Sequence, residues 1–145
     1  MTNQVGKMMK RLLLPVLALV PVIFLGCGGG EQRTPTFEVR GKLTDGSKPI
    51  ANAQVVFHPV NGSADAPKPR GKTDANGEFK LTTYDGLDGA PAGEYRVSVE
   101  LWKTLSADAG PANQLPAKFA DPAKSGLTAT VAAGPTELQP LVLKK

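Results

Sequence analysis

The sequence predicts an all-β fold, a β-sandwich, and three observations predict it. Beyond position 36 the apolar residues recur with a period of two in short runs, the pattern of strands buried on one face. Turn-formers close the runs. With 16 glycines and 13 prolines among 145 residues, about one in five is a turn-former, too many for a helical bundle. No segment after Cys27 repeats its apolar residues at helical spacing.

The chain opens on a leader. Lys7, Lys10 and Arg11 form a cationic segment, followed by an apolar run of 14 residues from Leu12 to Leu25. A helix of that length spans about 21 Å, short of the roughly 30 Å core of a bilayer. Pro15 and Pro21 weaken it further as a stable span. A removable signal over 1–26 is therefore expected, and not a retained transmembrane helix. All 13 acidic residues lie after the leader, and three of the 17 basic ones lie within it. The remainder carries a formal charge of +1, where the whole chain carries +4. The basic balance belongs to the leader and gives no support for nucleic-acid binding.

The run ends in Phe24-Leu25-Gly26-Cys27, which resembles the bacterial lipobox. The resemblance implies a diacylglyceryl group on the Cys27 thiol, cleavage on its amino side, and a lipid-anchored protein of the cell envelope. That chemistry needs a sulfur nucleophile with little bulk before the cut. Gly26 is small, and Phe24 stands where Leu is commoner. Cys27 is the single cysteine, so no intramolecular disulfide can form. The other reading is a free thiol after an ordinary signal. Acyl chains contribute about 0.8 kcal/mol per buried methylene, and two or more anchor a protein stably. The expected partner at this end is membrane lipid. Gly28, in place of the Asp that resembles an inner-membrane retention signal, points to the outer membrane in a cell with two. Residues 27–36 read as a flexible, glycine-rich tether; its nine residues after the cysteine reach about 30 Å when extended.

The domain expected over 37–145 follows strand by strand. Phe37, Val39, Gly41 and Leu43 alternate with Glu38, Arg40 and Lys42, and Asp45-Gly46 turns the chain. Pro49 fixes φ ahead of the next strand. There Ala53, Val55 and Phe57 alternate with Gln54, Val56 and His58 until Pro59 closes the run. Asp74-Ala75-Asn76-Gly77 puts Asn-Gly between two extended runs, the strongest short hairpin signal. Phe79 and Leu81 share one face of the following strand. Ala92-Gly93 turns the chain before Tyr95, Val97, Val99 and Leu101 line another. Leu127, Ala129 and Val131 follow, and a last run holds Leu138, Leu141 and Leu143. Six or seven short antiparallel strands indicate a sandwich, and about 110 residues bury a sufficient core without disulfides.

Four stretches carry a family resemblance: Val39-Arg-Gly-Lys-Leu-Thr-Asp-Gly46, Pro49-Ile-Ala-Asn-Ala-Gln-Val-Val-Phe57, Thr73-Asp-Ala-Asn-Gly-Glu-Phe79 and Pro91-Ala-Gly-Glu-Tyr-Arg-Val97. Together they are similar to the carboxypeptidase regulatory-like domain, whose pattern runs G-x-V-x-D, P-L-x-G-A-x-V, T-D-x-x-G-x-F and L-x-x-G-x-Y. The segment 115–127 looks like the ending of short bacterial lipoproteins built on that domain. The resemblance implies a seven-stranded antiparallel Greek-key sandwich of the transthyretin-like (prealbumin-like) kind, acting as a non-catalytic accessory or surface module. Asn52 replaces the Gly of the second element, and Asn also tolerates positive φ.

Chemistry-bearing residues are sparse. His58 is the single histidine, with no second His or Cys for zinc and no G-x-S-x-G elbow for a nucleophile. It reads as a surface or edge-strand residue. Asp74, Asn76 and Glu78, like Asp85 and Asp88, read as turn groups bonding nearby backbone N–H groups, since a full calcium-loop register is missing. No enzyme activity, metal or cofactor is expected. Lys68, Arg70 and Lys72 read as a solvated rim.

Trp102 falls out of phase with Tyr95 through Leu101 and so points outward unless the connection 103–126 covers it. A connection that long has to pack on something, and covering Trp102 is the expectation, with Leu115 and Phe119 capping the sandwich. Left exposed, Trp102 with Tyr84 is the candidate ligand surface. The expected function is that of a membrane-anchored envelope lipoprotein with a non-catalytic structural or interaction module. The alternative is a module binding a glycan, a peptide or another envelope protein through exposed aromatics or a sheet edge.

Overall fold

The computed structural model describes residues 33–106 and 108–144. The leader, Cys27 and the first part of the tether lie outside the described residues.

The first sheet is built around β1 (Val39–Asp45). The first half of β1 pairs with β10 (Thr136–Glu137) on one side and β5 (Glu78–Lys80) on the other. Its second half pairs with β11 (Leu141–Leu143) and β2 (Lys48–Pro49). The second sheet has the order β4 (Arg70–Lys72), β3 (Gln54–Pro59), β6 (Gly93–Glu100), β9 (Thr128–Val131), antiparallel throughout. A separate ribbon pairs β7 (Trp102–Thr104) with β8 (Pro111–Asn113).

The two sheets enclose one core, and the period of two decides what enters it. Val39, Leu43, Phe79 and Leu81 face Val55, Phe57, Tyr95, Val97 and Val99, all buried. The Phe57 ring joins the layers: it meets Tyr95 edge-on with centroids 5.7 Å apart and tilts against Phe79 at 6.2 Å. Such aromatic pairs stabilise beyond the apolar area they remove from water. The all-β sandwich is the fold the sequence predicts.

Two details differ from the expectation. The described residues form eleven strands, not six or seven, because several are ladders of two or three residues. The first sheet is mixed, since β1 runs parallel to both β10 and β11. After β9 the short segment 132–135 carries the chain back to the first sheet, where it runs beside β1 in the same direction, and the whole second sheet lies in the long connection that the parallel pair needs.

The Asn76-Gly77 hairpin has a further role. Gly77 takes φ 75°, and the Asp74 N–H donates to the Glu78 carbonyl at 2.8 Å. Lower down, Arg70 and Thr82 exchange both backbone bonds. Between these points β4 bonds to β3 and β5 bonds to β1. The hairpin is the corner where one sheet passes into the other. Asn52 adopts φ 61°, a left-handed conformation that Asn tolerates.

Candidate functional site

The connection 103–126 divides into two parts. Its second part caps the core: the 3₁₀ turn Ala117–Phe119 buries Phe119 to 1% exposure, and Leu115 packs beside it. Asp121 holds the next turn, accepting from the Ala123 N–H at 2.9 Å. That bond, with the Lys124 ammonium at 3.2 Å, keeps its carboxyl below the usual range.

The first part, with Trp102, is the β7–β8 ribbon, and it does not fold back. Asn113 Oδ1 fixes the base of the ribbon by accepting from the Leu101 and Leu115 N–H groups at 2.9 and 3.1 Å. The expectation that the connection covers Trp102 is corrected: Trp102 is 52% exposed and Leu105 65%. The strand pairing of the ribbon is satisfied internally, so it needs no cover from the sandwich. The indole Nε1 donates to Glu100 Oε2 at 3.2 Å, which steadies the ring at the surface.

Tyr84 lies elsewhere. It occupies the loop before Ala90, whose backbone exchanges two bonds with Phe37 where the described chain enters the sandwich. Asp88 shapes that loop by accepting from the Thr83 and Tyr84 N–H groups. The Tyr84 hydroxyl accepts from the Thr34 N–H at 3.0 Å, and the Arg33 guanidinium stacks over the ring at 5.2 Å while pairing with Asp85. The ring is thus engaged by the entering chain. Trp102 follows the far end of β6, and eight strand residues span about 26 Å. The structure therefore separates the two aromatics that the sequence reading grouped as one surface.

His58 lies beyond the reach of β4, which pairs with β3 only over Gln54–Val56, and is paired with Arg96 of β6 alone. Its Nε2 lies 2.9 Å from the buried Ser98 hydroxyl. Burial holds the imidazole below its ordinary pKa, and the Lys68 charge acts in the same direction. Burial likewise raises the Tyr95 phenol, whose hydroxyl donates to the Pro91 carbonyl at 2.7 Å. Asp74 Oδ1 accepts from the Asn76 and Glu78 N–H groups at 2.8 and 2.9 Å, as a turn carboxylate does. Among the described residues no three His, Cys, Asp or Glu side chains are grouped to hold a metal ion. No helix of the described residues is long and apolar enough to cross a membrane.

A concavity lies away from both aromatics. It is an open trough of about 920 Å³ across the outer side of the sheet corner, bordered by β1, β4, β5 and the segment 137–140. The sequence reading placed Arg70 and Lys72 on a plain rim. In the fold they share this trough with Arg40, Lys42 and Lys80. No single stretch of sequence contains that cluster.

No family model matches the chain. No curated protein matches it either. Among solved structures, a 9R-lipoxygenase from Cyanothece PCC8801 aligns with 74% of this chain at 19% identity and a TM-score of 0.38. The chain spans 16% of that lipoxygenase's length. The dioxygenase domain of a dioxygenase carbohydrate-binding protein fusion from Streptomyces sp. SirexAA-E aligns with 79% of this chain. It does so at 18% identity and a TM-score of 0.35, and 83% of that domain is covered. The expectation that the chain is not an enzyme is corrected on this finding, since both neighbours are enzyme chains and the exclusion does not stand. At these TM-scores the likeness carries no argument for a particular reaction, and none is assigned.

Proposed function

We propose that the chain is an envelope lipoprotein, held to a bacterial membrane by acyl chains on Cys27, whose β-sandwich serves as a structural or interaction module. In sequence pattern the module is of the carboxypeptidase regulatory-like kind. The observation that carries the reading is the polarity of the sandwich. The described chain enters beside Tyr84 and Ala90, and Trp102 and Leu105 stand exposed beyond the opposite end of β6. A tether over 27–36 attaches at the first end, so the second is the end presented to a partner. Membrane fractionation tests the anchor: wild type sediments with membranes and Cys27→Ala does not enter the mature membrane-bound pool. Equal membrane retention of both contradicts it.

The exposed Trp102 favours a second reading, a module that binds a glycan or peptide through this ribbon. An indole offers an apolar face for stacking and an N–H for polar contact. A cell-wall or glycan-array pull-down tests it by comparing wild type with Trp102→Ala. Loss of a retained ligand in the variant supports the binding reading, and equal retention, or none in either, contradicts it.

A further inference from the structure

The outer side of the sheet corner concentrates positive charge at an energetic disadvantage. The β1–β5 register places Arg40 directly opposite Lys80, and like charges directly opposite on neighbouring strands destabilise a sheet. Glu38 relieves that one pair, with Oε1 at 2.6 Å from Arg40 and 3.8 Å from Lys80. The Arg40 bond, followed by the charges of Arg40 and Lys80, holds the Glu38 carboxyl below its usual range. Lys42, Arg70 and Lys72 line the same trough, and none forms an ion pair among the described residues. Arg70 and Lys72 are two apart on β4, about 7 Å along one face. Arg70 and Lys72 border the trough from β4 and Lys80 borders it from β5. With Asp74, Glu78 and Glu137 the lining holds five cations and three carboxylates, a formal +2, where the whole chain after the leader carries +1, so the excess of positive charge lies here.

We propose that the trough binds a linear glycan bearing carboxylates. Arg70 presents the planar fork that accepts a carboxylate bidentately, with Lys42 and Lys72 as point charges beside it. Glu78, Glu137 and Gln139 also line the trough, and their oxygens accept hydrogen bonds from sugar hydroxyls. Leu87, 54% exposed, and Leu138 offer apolar contact for the C–H faces of sugar rings. The acceptors decide between polyanions. A polyphosphate or DNA backbone brings no hydrogen-bond donors to Asp74, Glu78 and Glu137, whereas a uronate glycan of similar charge brings hydroxyls that donate to them. The concave shape decides between a chain and a bilayer, because a planar headgroup surface does not reach into a recess. At about 920 Å³ the trough is of the size that holds several sugar units. It is distinct from the Trp102 ribbon, and its test does not depend on the anchor.

The test is titration of the full-length chain in neutral detergent with oligogalacturonate, its methyl ester, polyphosphate and glycerophosphoglycerol. The proposal predicts saturable, salt-sensitive binding of oligogalacturonate and at least about tenfold weaker binding of the methyl ester, the equivalent of about one charge-assisted contact. Arg70→Gln with Lys72→Gln weakens oligogalacturonate by at least about tenfold, and Lys42→Gln alone weakens it in the same direction should the double variant fail to fold. Lys103→Gln, on the ribbon, changes affinity by less than about twofold, as for a remote exposed charge. Absence of oligogalacturonate binding overturns the proposal, as does equal binding of the ester. Tighter binding of polyphosphate or of the headgroup, or an unchanged affinity in the trough variants, overturns it too.

Discussion

The tip of the Phe79 ring occupies the space beside Gly41: a Cβ at position 41 would fall 2.4 Å from Cζ of that ring. The two residues are paired across β1 and β5, and the missing side chain of one makes the space for the other. Phe79 in turn leans on Phe57 from the second sheet. Gly41→Val is expected to lower stability by about 1–3 kcal/mol through overpacking, read from urea unfolding. Gly110→Ala, with open space around it, is expected to stay within about 0.5 kcal/mol.

The two halves of the connection 103–126 respond differently to truncation. Phe119 is buried in the core, so Phe119→Ala is expected to cost about 3–5 kcal/mol. Trp102→Ala, at an exposed position, is expected to change stability by less than about 0.5 kcal/mol. Denaturation midpoints of the two variants check this. Similar losses would mean that the ribbon packs on the sandwich.

Trp102 is the single tryptophan, so its fluorescence reports one site. The native protein is expected to show red-shifted emission, ready quenching by acrylamide and little further shift on unfolding. Blue-shifted, protected emission would show that the ribbon is covered.

His58 links stability to pH. Its folded pKa lies below the ordinary histidine value because burial, then the Lys68 charge, disfavours the imidazolium. The unfolded chain therefore binds more protons near the ordinary histidine pKa of about 6.5, and stability rises with pH in that region. The contribution is complete above the unfolded pKa and declines as pH falls toward the folded one. Asp121 and Glu38, both lowered, act in the more acidic carboxylate range. Thermal midpoints between pH 5 and 7.5 are expected to rise more steeply in wild type than in His58→Gln. Parallel profiles would contradict the role given to His58.

Much of the core was legible in the chain because alternation is local. Val55, Phe57, Tyr95, Val97 and Val99 declare an inward face by spacing alone, and the structure buries all of them. The capping role of Phe119 was readable too, since a long connection needs an apolar anchor. What alternation does not encode is partnership. Nothing near Leu141 or Val142 states that they run parallel to Leu43 and Thr44. For the same reason Tyr84 and Trp102, both aromatic and both outside the inward pattern, looked like one surface until β6 separated them. The trough was hidden most completely, because Lys42, Arg70 and Lys80 meet only after two sheets close at a corner.

The account turns most directly on the amino end of the mature chain, and intact-mass and peptide mass spectrometry of protein purified from native membranes reads it. The expected species begins at Cys27 and carries a thioether-linked diacylglyceryl group. A chain that keeps residues 1–26, or that begins at Cys27 with a bare thiol, would contradict the assignment as a lipoprotein.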